Sequence, residues 1–214
     1  MKTTYPKGRG IADLSIPTAN VLIPHSSTNL GLIFRLIIPV ILLMFTAFSL
    51  PAKTYTTTGV SSEWNNPNAW DCACVPSITL NNTDLIIKHQ IFYTGNSPIT
   101  VKGNSSITIS DGGSFEISSN LNMNNGGEVT INRGTLDIGP GVFNCNGSLS
   151  VTNGFVVKNG NFNNNGSISL SNGCIELSNG NFNNDATITG SGSIKTLSGN
   201  INNTIGLIKD VESA

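Results

Sequence analysis

A period of about 20 residues runs through the chain from Ile107 to Asn203, and a repeat of this length constrains the fold more than any other feature. Each repeat holds three short, mostly apolar–polar–apolar triplets. The first triplets start at Ile107, Val129, Leu149, Ile168 and Ile188, the second at Phe115, Leu136, Phe155, Ile175 and Ile194, and the third at Leu121, Phe143, Phe162, Phe182 and Ile201. Strand alternation places the first and third members of a triplet on one face and the middle member on the other. Because strands this short cannot bury that face within one repeat, successive repeats must stack.

Stacked repeats predict an all-β fold, a single-stranded parallel β-helix that forms a three-sided solenoid with about 20 residues per coil and about 4.8 Å per rung. A β-sandwich is the competing architecture for many short, regularly spaced strands. It is disfavoured because residue types, and not only apolar character, repeat by position. Right-handed winding is expected from known folds of this kind and not from any residue here. Less regular coils are expected to begin near Asp84.

The third triplets carry asparagine at matching positions. Their middle residues are Asn122, Asn144, Asn163, Asn183 and Asn202, and in the last three repeats the next residues are Asn164, Asn184 and Asn203. Stacked amides can donate and accept hydrogen bonds along the solenoid axis, so both columns are predicted to be structural ladders. A buried, unpaired asparagine costs about 1–3 kcal/mol, so the second ladder is expected to be continuous if it faces inward. A ligand-binding row is the alternative.

The N-terminal segment has the layout of a secretory signal. Residues 36–52 carry no charge, Arg35 precedes them, and cleavage is expected after Ala52. The alternative is an uncleaved signal anchor from Leu30 to Ala52, which would give the chain its one membrane contact. The predicted organisation is a leader and signal peptide at 1–52, an N-terminal cap segment at 53–84, solenoid coils at 85–204 and a C-terminal tail at 205–214. We expect the tail to fold over the last coil, because a bare strand edge invites association.

Composition narrows the function classes. The formal net charge is -1 and 11% of residues are charged, against roughly 25% in an ordinary soluble domain, so no nucleic-acid partner is expected. With the signal segment, this predicts a secreted or cell-surface protein, that is, an extracellular one.

The first triplets present hydroxyl residues on the outer face. Their middle members are Thr108, Thr130, Ser150, Ser169 and Thr189. Such a flat, mostly uncharged array is the expected contact surface for carbohydrate or for another cell-surface protein. It is also similar to the Thr rows of β-solenoid ice-binding proteins, which makes ice binding a further alternative. The array mixes Ser with Thr, whereas that family uses Thr.

Adjacent acids on the second triplets raise an enzymatic alternative. Glu116 and Asp137 are expected to lie one rung apart, near Arg133, and to be able to share a proton or a cation. A polysaccharide lyase or hydrolase is therefore the second hypothesis. Solvated strand charges are the simpler interpretation, with Glu176 and Lys195 paired across a rung. No catalytic residue, cofactor or metal is predicted.

Free thiols are the simplest interpretation of the four cysteines, which a secreted chain could also oxidise, and their pairing stays open. Cys72 and Cys74 are too close in sequence for an unstrained bridge in extended chain. Cys145 aligns with Asn164, and Cys174 aligns with a glycine just before the second triplet, so these two are expected on different sides. A zinc site built on Cys72, Cys74 and His89 lacks a convincing fourth ligand.

Two tryptophans, Trp64 and Trp70, precede the first regular coil and are placed to cover its apolar end. A Cys-x-Cys-x-Pro turn and an Asp-Leu-Ile-Ile strand follow them. Residues 60–88 therefore resemble the lead-in of secreted bacterial β-helix proteins common in the Bacteroidetes, and they are similar to the G-eight domain of animal cell-surface proteins. The resemblance implies a secreted β-helix and brings no catalytic residue. The expected function is a non-enzymatic solenoid module for adhesion, matrix or glycan contact.

Overall fold

The computed structural model describes residues 51–59, 61–204, 206–209 and 212–213, and for 207–209 and 212–213 it describes the backbone alone. The predicted leader and signal peptide lie outside the described residues, except for Pro51 and Ala52.

The described chain is built almost entirely from short strands. In chain order they are β1 (Lys53–Thr56), β2 (Ser62–Glu63), β3 (Thr79–Asn81), β4 (Thr83–Ile87), β5 (Gln90–Tyr93), β6 (Ile99–Lys102), β7 (Ser106–Ser110), β8 (Ser114–Ile117), β9 (Leu121–Met123), β10 (Glu128–Asn132), β11 (Thr135–Ile138), β12 (Phe143–Cys145), β13 (Ser148–Thr152), β14 (Phe155–Asn159), β15 (Phe162–Asn164), β16 (Ser167–Ser171), β17 (Cys174–Asn179), β18 (Phe182–Asn184), β19 (Thr187–Gly190), β20 (Ser193–Thr196), β21 (Ile201–Asn203), β22 (Leu207–Lys209) and β23 (Glu212–Ser213). A 3-10 turn, Pro67–Ala69, lies between β2 and β3. Over these same residues, no helix is both long and apolar enough to cross a bilayer.

Every third strand belongs to the same parallel sheet. Within the described residues, the first sheet has 8 strands in the order β1-β4-β7-β10-β13-β16-β19-β22, and the second has 8 in the order β2-β5-β8-β11-β14-β17-β20-β23. The third sheet has 7 strands, from β3 through β6, β9, β12, β15 and β18 to β21. The chain therefore forms the predicted parallel β-solenoid, whose three walls each receive one strand per coil.

Equivalent residues of successive coils stack directly over one another. Thr108 pairs in register with Thr130, and Thr130 pairs with Ser150, while the apolar residues beside them form their own columns. The inward columns are buried along the whole solenoid. Phe143, Phe162 and Phe182 form one such column, with ring centroids 4.4 and 4.9 Å apart. Burial of one apolar face per strand, which a single coil cannot achieve, is thus completed by the neighbouring coils.

The second sheet departs by one residue from the predicted register in β14. Val156 and Lys158 point inward, whereas Phe155 is 56% exposed and Val157 pairs with Asp137 on the outer face. The prediction placed Phe155 and Val157 inside and was therefore wrong. The cause is the corner before the strand, where Asn153 has a φ of 48°.

This corner has a constant length in three coils. Arg133, Asn153 and Asn172 all adopt positive φ, of 58°, 48° and 51°, and each is followed by glycine and one outward residue. A corner of fixed length determines which positions of the next strand face inward, whatever residues occupy them. In β14, the positions set in this way expose the aromatic ring of Phe155 and bury the aliphatic stem of Lys158.

Lys158 is fully buried, and its ammonium group is satisfied by backbone carbonyls. Nζ donates to the carbonyl oxygens of Gly139 and Asn159, both at 2.6 Å, and more distantly to that of Ile138 at 3.5 Å. Burial lowers the pKa of Lys158 to about 8, and the nearby charge of Asp137 opposes this change. A cation therefore interrupts an otherwise apolar inward column.

Both ends of the repeat region join the same sheets. Residues 53–84, predicted as a cap segment, supply β1, β2 and β3, which are the first strands of the three sheets. In the tail, β22 pairs with β19 and β23 with β20, so its backbone continues the first and second sheets.

Trp64 and Trp70 are buried in the first coil. Their ring centroids lie 5.3 Å apart, and Trp64 stacks on Phe115 at 5.4 Å. Each indole N–H donates to a backbone carbonyl, Trp64 to Pro76 and Trp70 to Trp64. The two rings thus contribute to the apolar core at the N-terminal end of the solenoid with their polar atoms paired.

The pairing of the cysteines, which the sequence leaves open, departs from the free-thiol interpretation at one pair. Cys72 and Cys74 form a disulfide, with Cα atoms 5.1 Å apart. Ala73 between them has a φ of 50°, and this tight turn, which an extended chain lacks, brings the two thiols together. Cys145 and Cys174 are free and lie in the third and second sheets. Cys145 aligns with Asn164 as predicted, whereas Cys174 pairs with Phe155 and not with a glycine.

Candidate functional site

The outer side of the first sheet carries three columns of small polar residues, here called the hydroxyl face. The middle column is Thr108, Thr130, Ser150, Ser169 and Thr189, and its flanking columns are Ser106, Glu128, Ser148, Ser167 and Thr187 on one side and Ser110, Asn132, Thr152 and Ser171 on the other. All these side chains are half-buried or exposed. The predicted site residues of the first sheet are therefore brought together in one aligned surface.

Most hydroxyl groups of this face are available to a ligand. Thr130 Oγ1 donates to Glu128 Oε1 at 3.0 Å, and Ser167 Oγ donates to Ser148 Oγ at 3.3 Å. The middle-column hydroxyls other than Thr130 make no hydrogen bond to any residue that the structure describes. Because a hydroxyl can donate and accept, and its hydrogen rotates to suit the partner, each of these unbonded hydroxyls can make both kinds of contact. Ile86 precedes Thr108 in the same column and ends the polar surface.

A shallow groove that the sequence analysis did not identify borders this face. It follows the corner between the third and first sheets. We call it the amide groove, and its lining is Lys102, Asn124, Asn125, Asn146 and Asn165, around a volume of about 650 Å³. A second depression of about 440 Å³ shares two of these asparagines and reaches Glu128, Ser148 and Ser167 of the hydroxyl face. The groove and the hydroxyl face therefore form one continuous surface.

Glycine makes this corner narrow enough to leave a groove. A Cβ on Gly147 would collide with the carbonyl oxygen of Gly127, and one on Gly166 would collide with that of Gly147. The backbones of successive coils can approach this closely only without side chains. The signal in the sequence is the recurring Asn-Gly pair at positions 125–126, 146–147 and 165–166.

The asparagines of the amide groove are only partly used by the protein itself. Asn165 Nδ2 donates to Asn146 Oδ1 at 3.0 Å. The side chains of Asn124 and Asn125 make no hydrogen bond, and Lys102 makes no ion pair, to anything in the described ranges. The groove thus offers free amide donors and acceptors beside one ammonium group.

The predicted asparagine ladders are confirmed. Unlike the side chains of the groove, which are only partly bonded, the ladder side chains are bonded to one another along the solenoid axis. The outer ladder begins at Asn122, which accepts, and each later Nδ2 donates to the Oδ1 of the preceding coil at 2.8–2.9 Å; the later residues are Asn144, Asn163, Asn183 and Asn202. In the inner ladder, Asn164 donates to Asn184 at 2.6 Å and Asn184 to Asn203 at 2.7 Å. Asn164 and Asn184 are 0% and 1% exposed, so the inner ladder is continuous where it is buried, as expected.

The second sheet carries the acid pair. Glu116 and Asp137 are register partners, and Gln90 Nε2 donates to Glu116 Oε1 at 2.5 Å. Burial, with the charge of Glu116, raises the pKa of Asp137, while Lys158 opposes the rise. The pair borders a cavity of about 120 Å³. Asp137 therefore holds a proton more readily than an ordinary exposed aspartate does.

Two ion pairs lie near the acid pair or on the same sheet. Arg133 does not meet the acid pair as expected but lies 3.4 Å from Asp111, one rung away. Lys195 Nζ lies 2.6 Å from Glu176 Oε2, which confirms that predicted pair, and this hydrogen bond raises the pKa of Lys195. Among the described residues, no group of three or more His, Cys, Asp or Glu side chains is placed to hold a metal ion.

No protein family, no curated protein and no solved structure matches the chain.

Proposed function

We propose that this β-solenoid is a non-enzymatic binding module, secreted or displayed at the cell surface, that contacts polysaccharide chains of a matrix or of another cell. The observation that carries the proposal is the hydroxyl face, in which Thr108, Thr130 and Ser150 stand in one column and continue to Ser169 and Thr189. A polymer with a repeating unit can make the same contact at successive rungs.

The energetics suit a ligand with many weak contacts. Each neutral hydrogen bond contributes about 0.5–1.5 kcal/mol net, so a single rung binds weakly, whereas several rungs acting together bind usefully. The contacts lie on strands of a hydrogen-bonded sheet, so little conformational freedom is lost when a ligand binds. A hydroxyl-rich face whose columns contain one charged residue, Glu128, also suits a neutral sugar polymer better than a charged polymer.

Two further features support the extracellular location. Cys72 and Cys74 form a disulfide, and disulfides persist mainly in oxidising compartments. Residues 36–52 have the sequence pattern of a secretory signal. Carbohydrate, or another cell-surface protein that carries it, is the proposed partner.

A glycan array tests the proposal. The purified protein is compared with a Thr130→Ala, Ser150→Ala, Ser169→Ala triple variant, which should bind its best glycan at least about tenfold more weakly. A matched triple variant on the second sheet, Ser114→Ala, Thr135→Ala and Ser193→Ala, should bind as the wild type does. An array without any hit, or equal losses in both variants, would contradict the proposal.

A polysaccharide lyase or hydrolase is the second candidate, favoured by one observation, the raised pKa of Asp137 beside Glu116. A carboxyl group that holds its proton could act as a general acid. Turnover of an acidic glycan that is lost in Asp137→Asn would favour this candidate. A panel of polysaccharides left intact by the wild type would retire it.

A further inference from the structure

The amide groove carries polar side chains that the described part of the protein satisfies only in part. The outer ladder asparagines are bonded to one another along the axis, at 2.8–2.9 Å. In the groove, one such bond is formed, between Asn165 and Asn146. The side-chain amides of Asn124 and Asn125 make no hydrogen bond to any described residue. The same residue type is therefore self-paired on the sheet and available for a ligand at the corner.

The shape of the groove favours an extended ligand that runs along the solenoid axis. The asparagines at 124, 146 and 165 come from successive coils, so the groove crosses rungs about 4.8 Å apart and does not follow a single strand. The glycines at 127, 147 and 166 line its side toward the hydroxyl face and place no side chain in the way. A linear polymer can lie in the groove and touch Ser148 and Ser167 at the same time.

The chemistry of the lining favours neutral sugars. A primary amide presents one acceptor oxygen and two N–H donors, a combination that matches two neighbouring hydroxyls of a sugar ring. The charged lining residues are Lys102 in the groove and Glu128 in the adjoining depression, so the two opposite charges offset each other over the whole surface. A strongly anionic polymer would meet the carboxylate of Glu128 without a matching row of cations.

We propose that the amide groove binds one edge of a neutral, linear polysaccharide, whose hydroxyls pair with Asn124, Asn125, Asn146 and Asn165 while the adjacent hydroxyl face contacts the rest of the chain. This inference rests on the proposed glycan-binding function and assigns it a principal site. The groove supplies the amide contacts, and the hydroxyl face extends them.

Calorimetric titration of the full chain with three probes tests the site: cellohexaose, mannohexaose and hexagalacturonate. The Asn125→Ala, Asn146→Ala variant should bind the preferred neutral hexasaccharide at least about tenfold more weakly, the effect of losing one or two hydrogen bonds. The control is Asn159→Ala, Asn179→Ala, an exposed asparagine pair at another corner of the solenoid, which should bind as the wild type does. Urea unfolding of each variant verifies that the fold is retained.

The other outcomes separate the site from the function. If the groove variant binds as the wild type does while the hydroxyl-face triple variant loses affinity, the groove proposal fails and the glycan-binding function stands. Equal losses in the groove variant and its control also overturn the groove. Binding of hexagalacturonate alone, lost in Lys102→Ala, overturns the neutral ligand class. If none of the probes binds, the groove proposal fails, and the glycan array decides the function independently.

Discussion

Truncation of Asn184 to alanine should destabilise the protein by about 3 kcal/mol. Its amide accepts from Asn164 at 2.6 Å and donates to Asn203 at 2.7 Å and to the Ala186 carbonyl at 2.9 Å. Leaving the fully buried Asn164 amide without its acceptor costs about 1–3 kcal/mol, and the other lost bonds contribute about 1 kcal/mol each at most.

Asn183 provides an internal control for Asn184, because it is the adjacent residue on β18 and faces outward. Its ladder bonds to Asn163 and Asn202 are both 2.8 Å long, but their partners are reached by water. Asn183→Ala should therefore cost no more than about 1 kcal/mol. The two variants remove the same chemical group and differ mainly in burial.

Urea unfolding followed by far-UV circular dichroism measures both changes, provided that the slope of the transition is unchanged. An Asn164→Ala, Asn184→Ala double variant should cost less than the two single changes added together, because the second truncation removes a group already left unpaired. Equal costs for Asn183→Ala and Asn184→Ala, within about 0.5 kcal/mol, would refute the reasoning from burial.

Three further predictions follow from local features. Burial lowers the pKa of Lys158 from 10.5 to about 8, so between these pH values the unfolded chain binds more protons than the folded chain. The free energy of unfolding of the wild type, relative to that of Lys158→Met, should therefore rise with pH from about 8 to 10.5. Urea unfolding of both proteins at a series of pH values measures this difference. Gly147→Ala should lower the free energy of unfolding by about 1–3 kcal/mol, because the new Cβ collides with the neighbouring coil. Gly139→Ala should cost less, since its new Cβ would lie 3.3 Å from the nearest atom, and thermal unfolding of both variants compares the two costs. Reduction of the Cys72–Cys74 bridge should lower stability by no more than about 1.5 kcal/mol, because the loop it closes is so short; unfolding with and without reductant, with peptide mass mapping of the bridge, checks this.

The period of the sequence was sufficient to predict the solenoid because stacking couples each residue mainly to its equivalents about 20 residues away. The outer ladder from Asn122 to Asn202 and the column through Thr130 follow directly from that repetition. So does the inner ladder, since a buried amide requires hydrogen-bond partners and the repeat places another amide directly above or below it.

Corners were predicted less well than strands. The register of β14 depends on the positive φ of Asn153, and apolar residues at 155, 156 and 157 fit either phase. The Cys72–Cys74 bridge depends in the same way on the turn at Ala73. In both places the backbone leaves the extended conformation, so the two-residue alternation of strands no longer predicts where a side chain points.

The sequence by itself determined that equivalent residues stack, because like-for-like columns need only a constant repeat and alternating faces. Only the tertiary structure decided which side chains meet across a corner. It placed Phe155 outside and Lys158 inside, and it joined the asparagines of three coils to the hydroxyl face in one surface. The physical reason is that strand alternation is a local property, whereas a corner's direction depends on backbone angles and on the close approach of a neighbouring coil.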